Sequence, residues 1–258
     1  MKHLLRCAGF CIWFLLIGMP VHADDADIEI GIVEKLGHTI PLDLSFQNSN
    51  GDTVQLRDII TKPTILNFVY YRCPGICPRL LSSLGDMLDR LTLVPGTDYQ
   101  VVTISFDPTD TPESSRNTKA NYYNPLRDKM PEASWLFLTS DQPTISKITE
   151  AAGFRYKADK QDFIHASALI IVSPQGKITR YIMGLDYSPF DVKLALLEAS
   201  EGRVGATINK VLLYCFSYDP EGRTYAMNVT KIAGTVILFI AFLFGLTLVI
   251  SGKARQKN

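Results

Sequence analysis

The tightest constraint on this chain lies between Thr64 and Leu91. Thr64 to Tyr71, reading TILNFVYY, is rich in β-formers and nearly continuous in apolar character, as expected of a central strand covered on both faces. A Cys73-Pro74-Gly75-Ile76-Cys77-Pro78 turn follows, after which Leu80, Leu81, Leu84, Met87, Leu88 and Leu91 recur at helical spacing and define one apolar face. A buried strand that turns directly into an amphipathic helix needs further strands beside it and further helices over it. The segment therefore commits its surroundings to an α/β domain.

The flanking sequence agrees. Tyr99 to Phe106 reads as the next strand, and Thr111-Pro112-Glu113 opens another helix with Thr as N-cap, Pro at the first helical position and Glu in the first turn. Trp135 to Thr139 predicts a further strand and Thr144 to Ala152 a short helix. Ala168 to Ser173 and Ile178 to Gly184 predict a hairpin around Pro174-Gln175-Gly176. Ser188-Pro189 caps a last helix running through Leu196, and Gly202 to Thr230 is a polar connector.

The two ends carry address information. Lys2 and Arg6 precede an apolar run of 13 residues from Cys7 to Met19, and Val21-His22-Ala23 follows with small residues where a signal peptidase reads. Residues 1–23 are expected to be a cleaved export signal. Ile232 to Ile250 is a charge-free stretch of 19 residues, long enough to cross a bilayer, and Lys253, Arg255 and Lys257 follow it with no acid. The expected organisation is a signal at 1–23, a domain at 24–202, a connector at 203–230, a transmembrane helix at 231–251 and a basic cytoplasmic tail at 252–258. The domain would face the side of the membrane away from the cytoplasm. Lys+Arg and Asp+Glu each total 26, so the basic excess of a nucleic-acid binder is absent.

Removing the signal takes away Cys7, Cys11, His3 and His22 and leaves Cys73, Cys77, Cys215, His38 and His165. The Cys73-x-x-x-Cys77 turn sits beyond the carboxyl end of a strand, where open α/β sheets bind ligands. The N-terminus of the following helix favours thiolate over thiol. A purely structural disulfide is the bland alternative, but so short a loop constrains the unfolded chain little. Two sulfurs are also too few for a closed zinc site, so the site must be open, shared or completed elsewhere. His165, at a loop-to-strand junction after the Lys157–Gln161 loop, is the candidate, whereas His38 near the mature N-terminus reads as a surface residue. Two thiolates and one imidazole suit Cu(I), and also Cu(II), better than magnesium, calcium or manganese, and zinc is chemically compatible. Cys215, among Leu212, Leu213 and Phe216, reads as a packing residue.

Together, the strand-CPxxCP-helix turn, Phe106-Asp107-Pro108 with Asp110-Thr111-Pro112-Glu113, His165 followed by Ser173-Pro174-x-Gly176, and Tyr214-Cys215-Phe216-Ser217-Tyr218-Asp219-Pro220 resemble the Sco/SenC family, in particular its bacterial members anchored at the C-terminus. The resemblance implies a thioredoxin-like fold with a central mixed sheet flanked by helices. It also implies copper held by Cys73, Cys77 and His165, and a role in building the CuA centre of cytochrome c oxidase subunit II, with an upstream copper donor and a thiol reductant as further partners. Ile164 stands where some members carry an acid, so any carboxylate supporting the site must come from elsewhere, with Asp162 and Asp107 as candidates.

Three functions compete. A copper chaperone would hold the metal at an open edge and pass it on by ligand exchange. A thiol-disulfide reductase would use Cys73 and Cys77 to keep the CuA cysteines reduced, and would not need His165. Thioredoxin-type oxidoreductases usually place a proline beside the cysteines, which Phe163 to Val172 lacks. A peroxidase would need activating partners that the sequence does not supply.

Overall fold

The computed structural model describes residues 30–160, 162–205, 216–219, 224–227, 233–234, 237–241 and 244. The centre is a mixed five-stranded sheet whose order follows directly from the apolar runs. Strand β4 (Thr64–Val69) is buried at every position and lies in the middle of the order β10-β9-β4-β5-β6. It pairs in parallel with β5 (Gln100–Ser105), which pairs in parallel with β6 (Trp135–Leu138). On its other side β4 runs antiparallel to β9 (Ala168–Val172), and β9 to β10 (Ile178–Met183). Gly176 supplies the positive φ of 79° that the β9–β10 turn requires.

Among the described residues, five α-helices accompany the sheet. The short α1 (Leu56–Ile59) precedes β4, and α2 (Ile76–Arg90) turns Cys77, Leu80, Leu81, Leu84, Met87 and Leu88 inward. Helix α3 (Pro112–Tyr123) begins with the expected Thr111 cap, here a reciprocal capping box with Ser114. Helix α4 (Gln142–Ala151) starts two residues before the position read from sequence, because Asp141 rather than Thr144 caps it. Helix α5 (Pro189–Ser200) is capped by Ser188 and runs four residues past Leu196. Helix α2 touches both α3 and α5.

A second sheet departs from the sequence reading. The segment read as a loop over Lys157–Gln161 is largely strand: β7 (Phe154–Asp159) and β8 (Asp162–His165) form an antiparallel hairpin, joined at the outer edge of β7 by β1 (Gly31–Ile32). Its inner side packs on the main sheet through rings, with Phe154 4.9 Å from Phe68 and Phe163 5.3 Å from Phe106 between centroids. The small pair β2 (Ser45–Gln47) and β3 (Thr53–Gln55) covers another edge. The central domain has the thioredoxin-like arrangement.

In the connector, β11 (Phe216–Asp219) and β12 (Thr224–Met227) form a hairpin. Within the C-terminal apolar stretch, 233–234, 237–241 and 244 are helical, and Ile237, Leu238, Phe239, Ile240 and Phe244 are exposed. Among the described residues no helix is long and apolar enough to cross a membrane. The export signal at 1–23, Cys215, the tail at 252–258 and most of 231–251 lie outside the described residues.

Candidate metal centre

The cysteines come from the break between β4 and α2. After Val69 the chain turns, with the Cys73 amide donating to the Tyr70 carbonyl at 3.2 Å, and α2 starts at Ile76. The Cys73 sulfur faces the orphan amides at the helix start, accepting from Gly75 N at 3.4 Å and Cys77 N at 3.5 Å. A hydrogen bond from the Cys77 thiol is the largest influence drawing the Cys73 thiol well below its ordinary range, and these two amides act in the same direction against burial. Cys77 is pushed the other way, first by burial and then by the Cys73 thiolate beside it. One sulfur is thus prepared as a thiolate and the other as the thiol that donates to it. Neither forms a disulfide.

The histidine arrives from the other sheet. His165 ends β8 and is 2 % exposed, and its ring is walled by Phe106 at 5.0 Å and Tyr70 at 5.8 Å between centroids, both edge-on. Nδ1 lies 2.9 Å from the Ala166 carbonyl, which accepts only if Nδ1 carries the proton. That leaves the Nε2 lone pair directed at the cysteines, 3.5 Å from Cys77 Sγ. The support for the imidazole is therefore a backbone carbonyl. Asp162 is not that support: it sits at the far end of β8, opposite Asp159, and accepts from its own neighbour, Phe163 N. His38 is exposed, as read from sequence.

Asp107 both caps its turn, accepting from Thr109 N at 2.8 Å, and takes the Arg72 guanidinium at 2.7 Å beside Cys73. Burial opposes its ionisation, but the bonds from Thr109 and Arg72 outweigh burial and hold its carboxyl below the usual range. Sequence reading missed Asp110. Its buried carboxylate accepts from Tyr71 N at 2.7 Å and Ser105 Oγ at 2.6 Å, pinning the chain two residues before Cys73 to the start of α3. The cue was present in the DPTDTP run, where a second acid precedes a helix cap.

The donor atoms of Cys73, Cys77 and His165 all lie within 4.8 Å of one another. Two sulfurs and an imidazole nitrogen in an aromatic-walled pocket fit a soft, low-coordinate metal ion, and they leave no hard oxygen donor for magnesium or calcium. The donors are 2 to 7 % exposed, less open than the chaperone reading anticipates, and Cys73 is the most accessible of the three.

A thioredoxin-like domain that replaces a purely redox turn with a Cys2His pocket defines a class of metal-binding thioredoxin relatives. The SCO1/SenC family model matches residues 35–195, and the chain belongs to that family. It is 29% identical over 154 residues to the SCO1 protein homolog of Bacillus subtilis, covering 57% of this chain and 75% of that protein. A Stutzerimonas stutzeri protein named for copper binding is 27% identical over 124 residues, 46% of this chain and 56% of that protein. A crystal structure of an Aquifex aeolicus VF5 protein superposes with a TM-score of 0.59 at 30% identity, covering 64% of this chain and 95% of the other.

Proposed function

We propose that this chain binds copper through Cys73, Cys77 and His165 and delivers it to the CuA centre of cytochrome c oxidase subunit II. An upstream copper donor and a thiol reductant serve it. An export signal at 1–23 and an anchor at 231–251 hold the domain at the outer face of a bacterial inner membrane. The observation that carries the reading is the convergence of the two cysteine sulfurs with a histidine 88 residues beyond Cys77, its tautomer already set for ligation. Copper is cargo here. Cys73, the most exposed donor, is the one an acceptor thiolate reaches first, while Cys77 and His165 hold the ion from behind until the exchange completes. The test is metal analysis of the full chain, reduced and copper-loaded without oxygen. Wild type is expected to hold one copper per chain against a competing chelator, Cys73→Ser and Cys77→Ser to lose it, and His165→Ala to bind at least tenfold more weakly. Equal retention in all four would overturn the reading.

The asymmetry of the sulfurs favours a second reading, a thiol-disulfide reductase. The Cys73 thiolate attacks a partner disulfide and releases one partner thiolate. Cys77 then resolves the mixed disulfide, giving an oxidised Cys73–Cys77 pair and a dithiol partner. Disulfide reduction that survives His165→Ala unchanged, with weak copper binding in wild type, would move the assignment to this reading.

A further inference from the structure

Helix α5 is apolar on two sides. Val192, Ala195, Leu196 and Ala199 are buried against the domain, yet Phe190, Leu194 and Leu197 recur at spacings of four and three on the opposite side and are 74, 38 and 44 % exposed. A surface helix of a globular domain ordinarily presents polar residues there. The patch continues sideways: Lys193 Nζ donates to Thr92 Oγ1 at 2.8 Å, tying α5 to the loop that carries Val94, itself 56 % exposed. Charges are sparse along the stripe. Asp191 lies in the first turn, Glu201 follows the helix and pairs with Arg203, and Glu198 is turned inward onto Arg180 at 2.8 Å.

We infer that this face of α5 lies in the headgroup–acyl boundary of the membrane that anchors the chain. The inference rests on the reading of 231–251 as that anchor. Two observations select lipid over other occupants. The stripe spans a helix of 12 residues, about 18 Å long, and a helix lying flat in an interface needs one apolar side of this kind, rich in Phe and Leu. Only 31 residues, 201–231, separate α5 from Ile232, so lipid is held beside the helix at high effective concentration, and even a weak interfacial affinity is enough to dock it. The helix also packs against β9 and β10 and touches α2, so its docking would orient the whole domain, with the metal pocket at the start of α2 fixed relative to the bilayer.

The test uses the full chain in nanodiscs of phosphatidylethanolamine and phosphatidylglycerol, with and without acyl-chain-brominated lipid. A tryptophan is introduced as Phe190→Trp and, as a control on another exposed surface, Val33→Trp. Wild type sets the background, which comes from Trp135 once the signal carrying Trp13 has been removed. The added tryptophan at 190 is expected to lose at least half its emission to bromine and shift to the blue, while that at 33 is unaffected. Adding Leu194→Asp and Leu197→Asp should cut the quenching at 190 at least twofold with copper stoichiometry unchanged. A chain that incorporates but shows equal, unquenched emission at both positions overturns the inference alone. A chain that does not co-migrate with the discs overturns the anchor and the inference with it. A blue shift without bromine quenching, found only in discs with two copies, assigns the face to a second copy and also overturns it.

Discussion

At the scale of single residues, the site is a division of labour between two sulfurs. Because Cys73 releases its proton below the ordinary thiol range and Cys77 above it, iodoacetamide should modify Cys73 in the reduced, metal-free protein at pH 6 nearly as fast as at pH 8. A free thiol slows about tenfold per pH unit below about 8.5. Mass mapping that shows equal labelling of both cysteines, or a Cys73 rate that falls as steeply as a free thiol's, would contradict this. The sign for stability follows: the folded state holds the Cys73 thiolate more readily than the unfolded chain, so this group's contribution is complete above the unfolded value and is lost as pH falls through the folded one. Asp110 works at the same scale. Asp110→Ala strands the Tyr71 amide and the Ser105 hydroxyl, and should destabilise by about 1 to 3 kcal/mol in urea unfolding. The three candidate donors were legible in sequence because cysteine and histidine advertise their chemistry. The Ala166 carbonyl that locks the imidazole was not, since every residue but its geometry is equally able to supply one.

At the scale of elements, legibility followed burial. Strands β4, β5 and β9 are buried at every position and stood out as apolar runs, and α3 announced itself through Thr111-Pro112. The β7–β8 hairpin did not, because most of Arg155–Asp159 is exposed and polar, and Lys160, not glycine or asparagine, takes the positive φ of 57° at its turn. Strand β1, two residues long, is too short for any periodicity. This sheet nevertheless delivers His165, and the seating of β1 along its edge turns on one position. Gly153 has φ of 66°, and an added methyl would run into the Val33 carbonyl, where Val33 N donates to Gly153 O at 2.8 Å. Gly153→Ala should therefore detach β1 first, seen as loss of amide-exchange protection at Val33 before the main sheet is affected. Uniform protection would show that the edge tolerates the change.

At the scale of the molecule, a copper ion held by the three proposed donors would join two sheets that pack on each other through side-chain rings. Cys73 and Cys77 belong to the main sheet's strand–helix turn and His165 to the appended hairpin. A ligand bound only by the folded state stabilises it by mass action, about 2.7 kcal/mol at a free concentration one hundred times Kd. Copper should accordingly raise the melting temperature of wild type by several degrees and leave Cys77→Ser where it was. An equal shift in both would place the copper elsewhere. The separation along the chain also has a temporal meaning. On a ribosome moving at about 5 to 20 residues per second, residue 165 is made roughly 4 to 18 s after residue 77. For that interval the nascent polypeptide owns both thiols but not His165, so the three-donor set cannot assemble until the second sheet has been made. A chain that meets copper during synthesis would hold it by the two sulfurs alone, and the full grip would form only once the β7–β8 hairpin has folded against the main sheet.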